Sequence, residues 1–169
     1  MALAINANSN KIINFTLTET ADGKTISQAD TKSLTNSYTY GSGLNQITNA
    51  VGVTGSLPVS TYSTIDFQSL NQTTFNSTVS VNFTGIKQVS IFNTSTGNGD
   101  DFVVRATGTN AFTNLFNGGS GGIPIKPYGY FSYDDPNIGT SVASNNKILH
   151  LDNGSNSGVS YKIFVLGLD

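Results

Sequence analysis

The chain has 169 residues, one histidine, no cysteine and a formal charge of −2 from 8 basic and 10 acidic side chains. That excludes disulfides and thiolate metal sites, and without a clustered positive face no nucleic-acid partner is expected. Charged residues make up only 11%, whereas Asn, Ser and Thr supply roughly a third, so the surface is polar but nearly uncharged. Such a surface desolvates cheaply, because an amide that finds a partner costs far less to bury than a charge.

In chain order, the opening MALAINANSNK has neither the basic start nor the apolar core of a secretion signal. No stretch approaches the ~20 apolar residues of a membrane span, so no membrane partner is expected. Residues 1–60 are expected to form a strand and a less regular loop or arm region of the same domain. Within them KIINFTLT alternates Ile13, Phe15 and Leu17 with polar residues, as a strand does. SQADTKSL, 27–34, suggests a short helical turn, and YGSGLNQITNAVGVTGSLPVS suggests loop with short strands.

Residues 61–169 predict a β-sandwich core. TVSVNF places Val79, Val81 and Phe83 on one face, and KQVSIFN does the same with Val89 and Ile91. DFVVRATG separates Phe102, Val104 and Ala106 from Val103 and Arg105. A second helical turn is suggested at TNAFTNLF, 109–116. KILHLDN directs Leu149 and Leu151 inward with Ile148 and His150 opposite. YKIFVLGL is apolar on both faces, which predicts a central strand or one covered by a partner. Gly- and Asn-rich turn signals lie at 94–100, 117–122, 134–139 and 152–158. The fold expected is all-β, a jelly-roll-like antiparallel β-sandwich.

Catalytic chemistry has little to work with. One histidine and one glutamate are present, and the G-x-S-x-G match GGSGG, residues 118–122, reads as a glycine-rich connection and not as a nucleophile elbow. His150 reads as a strand-surface residue, and the pairs Asp100–Asp101 and Asp134–Asp135 read as turn caps. DNGSNSG lacks the spacing and closing Glu of a calcium loop and reads as a hairpin turn. NGGSGG lacks the Lys-Ser/Thr ending of a phosphate loop. The N-x-[ST] triplets, at Asn14, Asn71, Asn76, Asn82, Asn93 and Asn153, follow from composition and are read as unglycosylated. No catalytic residue, metal ligand or cofactor is assigned, and no enzyme is expected.

The segment IPIKPYGYFSYDDP, residues 123–136, concentrates aromatics and three of the four prolines. Pro124 and Pro127 cannot donate to a ladder and so predict a sheet edge or corner. Tyr128, Tyr130, Phe131 and Tyr133 then become candidate interface residues, because aromatics bury much area beside an edge that needs cover. Two of them filling the core instead is the simpler alternative.

Several elements of the second half resemble small structural proteins of tailed bacteriophages. These are Ile91-Phe92-Asn93, Gly108-Thr109-Asn110, the corner from Ile123 to Gly129, Lys147 to Asn153, and Tyr161 to Gly167. Tyr128 departs from the pattern, which has glycine there. The resemblance covers roughly residues 60–169 in strand-and-turn layout and carries over no catalytic residue. It implies a jelly-roll virion component on the capsid surface, assembled in the host cytoplasm. Its role would be cement or decoration, binding copies of itself, as a trimer, and the major capsid protein. The alternative is a head-fibre or tail-associated module that binds a host glycan through Tyr128, Tyr130 and Tyr133, with Asp134 and Asp135 bonding hydroxyls.

Overall fold

Period-two alternation builds nearly every element of the computed structural model, which describes residues 6–21, 24–74, 77–116, 121–155 and 157–169. Most of the turn signalled at 117–122 lies outside the described residues. Strand β1 (Asn6–Ala21) pairs antiparallel with β2 (Lys24–Tyr40), from Asn6 opposite Thr39 to Ala21 opposite Lys24. The helical turn expected at 27–34 is strand instead. Gln, Ala and Lys there have good helix propensity, but Ser27 to Leu34 pair in register with Thr18 to Lys11. A propensity of a few tenths of a kcal/mol per residue yields to such a ladder. Among the described residues of the N-terminal region, irregular backbone is limited to 41–48 and the turn at 58–60, and in the former β3 (Gln46–Ile47) pairs parallel with the end of β2.

The remaining strands are β4 (Asn49–Leu57), β5 (Thr61–Asp66), β6 (Leu70–Thr74), β7 (Ser77–Val81), β8 (Gly85–Asn93), β9 (Phe102–Arg105), β10 (Gly122–Ile125), β11 (Tyr130–Asp134), β12 (Thr140–Ser141), β13 (Ile148–Asn153) and β14 (Val159–Leu168). The second expected helical turn is present, as a 3₁₀ turn at Thr113–Phe116. One sheet has the order β11-β8-β14-β4, with β12 also on β8, and the other has β10-β9-β13-β5. First and last sandwich strands, β4 and β14, are neighbours; so are the second and next-to-last, β5 and β13. With β8 beside β14 and β9 beside β13, the chain winds as a jelly roll.

The two inner faces meet in one contiguous core. Val89, Ile91, Ile163 and Val165 of the first sheet share it with Phe102, Val104, Leu149 and Leu151 of the second, all fully buried. Each such side chain contributes about 1.5–3 kcal/mol relative to exposure. Phe67 and Phe112 join the same cluster edge-to-face, with ring centroids 4.9 Å apart. The inward sets expected on β8, β9 and β13 are those found. On β7, Val81 is buried as expected but Val79 is exposed, because β7 pairs with β6 in a separate two-stranded hairpin.

Two asparagines fix the turns. Asn93, ending β8, donates from Nδ2 to the carbonyls of Asp100 (2.6 Å) and Ile125 (3.0 Å), while its Oδ1 accepts from Ser95 N–H. Asn153, ending β13, donates to the carbonyls of Leu57, Pro58 and Ser157 at 2.9–3.1 Å, and its Oδ1 accepts from the Ser155 N–H and hydroxyl. Both amides are buried and fully occupied, so these two N-x-[ST] sites have no amide to offer a glycosyl donor in the folded chain.

A bulge sets the lower end of the first sheet. Opposite Leu166 and Gly167 of β14 stand Gln88 and Ile86, leaving Lys87 with no partner position on that strand. Gly167 is needed there, since an added Cβ would run into the Gly85 carbonyl and the Phe83 ring. Bulges re-aim side chains, and this one turns the Lys87 ammonium onto the carbonyls of Gly43 (3.3 Å), Pro136 (3.4 Å) and Asn137.

Candidate interaction surface

The outer face of the first sheet is an aromatic row. Tyr130 of β11 stacks on Phe92 of β8 with centroids 5.5 Å apart and planes 24° apart. Phe92 in turn meets Phe164 of β14 edge-to-face at 5.9 Å. Tyr130 and Phe164 are each about half exposed, at 56% and 49%. Leu166 continues the apolar strip, and Ala7 and Asn10 of β1 close one side of a depression of about 360 Å³ that it shares with Gln88, Ser90 and the two phenylalanines. The apolar part of the outer face of β14 expected from YKIFVLGL is therefore Phe164 and Leu166, with exposed Lys162 on the same face across from Phe92. The strand is central, and within this chain Phe164 is only half covered.

Alternation divides the four candidate aromatics between two faces. Tyr130 lies on the outer face. Phe131 and Tyr133 point the other way and pack, partly buried, against the core. The Tyr133 hydroxyl is 2.6 Å from Thr140 Oγ1, which lies 3.4 Å from Asp135 Oδ2. Tyr128 is 74% exposed in the corner before β11, with φ at +60°, a conformation that favours glycine. β10, which carries Pro124, ends one sheet and β11 ends the other, with Pro127 in the corner between them. A platform of Tyr128, Tyr130 and Tyr133 on one face is not assembled.

The β1–β2 hairpin is rooted beside this surface. Tyr38 is buried at its base, close enough to Asp134 and Asp135 to feel both charges. Burial first, then those two carboxylates, pushes its phenol up to about 12. Its hydroxyl has no hydrogen-bond partner among the described residues. Burial also lowers the Lys87 ammonium, partly offset by Asp135. Asn45 N–H donates to the Pro136 carbonyl at 2.9 Å, so loop 41–45, loop 136–139 and the bulge are tied together at one point.

The acidic pairs serve structure. Asp100 Oδ2 accepts the Gly97 N–H at 3.1 Å, and its Oδ1 accepts the Ser157 hydroxyl, joining two turns. Asp101 pairs with Lys126 at 2.9 Å, and that hydrogen bond holds its carboxyl below the usual range. Among the described residues no group of three His, Asp or Glu side chains could hold a metal ion, and no helix is long and apolar enough to cross a membrane. Sequence reasoning missed Phe92, whose outward position follows from the inward Val89 and Ile91. It also missed Lys87 and Tyr38, whose roles depend on a bulge and on a distant strand.

No protein-family model matches the chain, and no curated protein or solved structure matches it.

Proposed function

We propose that this protein is a non-enzymatic structural subunit of a tailed-phage virion, a capsid cement or decoration protein. It associates with copies of itself, as a trimer, and clamps neighbouring major-capsid subunits. The observation that carries this reading is the half-exposed row Tyr130–Phe92–Phe164 on the first sheet, bordered by the last strand of that sheet, β11, and by the root of the hairpin. Rows of this kind gain from cover, because aromatic area is removed from water, while Lys162, across from Phe92 on the same face, can keep its ammonium in solvent on its long stem.

The hairpin supports the same reading. At 16 and 17 residues its strands exceed the 10 residues of β14, the longest strand of the sandwich, and they span roughly 50 Å. A lone two-stranded ribbon is at best marginally stable in water. The register gives the apolar positions Ile13, Phe15 and Leu17 the residues Lys32, Asp30 and Gln28 directly across the ladder. Such an arm gains most by lying on another molecule. A protein that binds only the assembled shell then stabilises that shell by mass action. Mass spectrometry of purified virions, with electron microscopy to place the density, tests the proposal. Stoichiometric copies on the capsid are expected, and absence from the particle would end it.

A further inference from the structure

The outer face of the second sheet carries a different constellation, drawn from three adjacent strands. The register sets Tyr62 of β5 directly across from Asp152 of β13, and Arg105 of β9 directly across from His150 of β13. With Thr107 these four line a groove of about 290 Å³. The Tyr62 ring is 71% exposed, and its centroid stands 6.0 Å from that of His150 with the planes 41° apart. Arg105 Nε lies 3.1 Å from Asp152 Oδ2 but finds no aligned hydrogen-bond acceptor among the described residues. Arg105 and Asp152 side chains are 40% and 41% exposed, so both groups can still reach a ligand. Gly108, at φ +80°, lets the following loop pass His150 closely; a Cβ there would sit 3.7 Å from Nε2.

We propose that this groove binds a pyranose ring. A pyranose offers one C–H face, which a flat exposed ring such as Tyr62 can cover. It also offers neighbouring hydroxyls that need donors and acceptors side by side. Arg105 supplies donors only, Asp152 acceptors only, and a neutral His150 one of each. An anionic ligand such as a phosphate gains little, because Asp152 cancels the charge of Arg105. A purely apolar ligand would cover all three polar groups without satisfying them. A neutral sugar is the chemistry that uses every group in the groove. The inference is independent of the virion reading, since groove and aromatic row lie on the outer faces of different sheets.

Saturation-transfer NMR with the methyl pyranosides of glucose, galactose and mannose tests it. Transfer to the ring protons of at least one is expected. Affinity should fall on the order of tenfold in Tyr62→Ala, a stacking loss of about 1.4 kcal/mol. Tyr62→Phe should largely retain it, Asp152→Ala should weaken it several-fold, and Phe164→Ala, on the other sheet, should leave it unchanged. No transfer to any of the three sugars at tens of millimolar would overturn the proposal. So would transfer undiminished in both Tyr62→Ala and Asp152→Ala.

Discussion

The two sheets of this jelly roll present like faces inward and unlike faces outward. Inside, Ile163 and Val165 of one are matched by Leu149 and Leu151 of the other, all fully buried. Outside, the first sheet shows Tyr130, Phe92, Phe164 and Leu166, whereas the second shows Tyr62, Arg105, His150 and Asp152. Identical alternation thus yields one surface that is largely apolar, with Lys162 its charged member on β14, and one that keeps donors and acceptors in place. The first suits a protein contact, the second a small polar ligand. Folding constrains only the inner half of each strand, so the outer halves are free to diverge.

The deepest way to break this comparison is to remove what both faces rest on. Asn153→Ala removes the amide donor of the Leu57, Pro58 and Ser157 carbonyls and the acceptor of the Ser155 N–H, although Pro58 and Ser157 keep the Thr61 and Ser155 hydroxyls. A buried group left unsatisfied costs about 1–3 kcal/mol, so a loss of about 2–3 kcal/mol is expected in urea unfolding. A loss under about 1 kcal/mol would show that the turn holds itself. Next in size is the aromatic row. Phe164→Lys should weaken self-association on the order of thirtyfold, as for a central contact worth about 2 kcal/mol. Monomer stability should move little, since the ring is half exposed. Tyr62→Ala should leave self-association unchanged, and equal effects from both would erase the distinction between the faces.

A smaller effect appears at alkaline pH, at the root of the hairpin. The Tyr38 phenol lies at about 12 in the folded chain against an ordinary 10.0, so the unfolded chain loses that proton first. Its contribution is therefore complete below pH 10 and is lost as pH rises to about 12. Lys87 is shifted below its ordinary 10.5 and acts in the opposite sense, adding stability as pH rises towards that value. Tyr38→Phe isolates the tyrosine. Little change at pH 7 is expected, because the hydroxyl has no partner among the described residues. Thermal melts between pH 9 and 12 should show a shallower alkaline decline than in wild type; parallel declines would contradict the assignment. The smallest effect is Asp101→Asn, which removes the pair with the exposed Lys126 and should cost under about 1 kcal/mol. The carboxyl sits below its ordinary 3.8. Wild type therefore gains from it above that pH and loses the gain as pH falls through the folded value; the variant should lack that acid limb.

What could be read from sequence was whatever depends on local alternation. Leu149 and Leu151 inward, Phe102 and Val104 inward, and the doubly apolar β14 all follow from period two, and the structure places them so. The edge position of β10 was legible because the N–H missing at Pro124 is a local fact. What depended on non-local pairing was not. Residues 27–34 carry helical residues and become strand through partners at 11–18. Lys87 looks like the polar face of a strand, yet a one-residue slip against β14 buries it. Tyr62, Arg105 and His150 lie some forty residues apart in sequence, and only the strand order β9-β13-β5 brings them together. His150 reads as an ordinary surface residue until its neighbours across the ladder are known.

Sedimentation equilibrium of the wild-type chain beside Phe164→Lys, over a wide concentration range at physiological salt, tests most directly whether the aromatic face exists to be covered. Reversible association of the wild type, with the variant shifted towards single chains, is the expected result. Wild-type protein that stays a single chain at every concentration, indistinguishable from the variant, would contradict it.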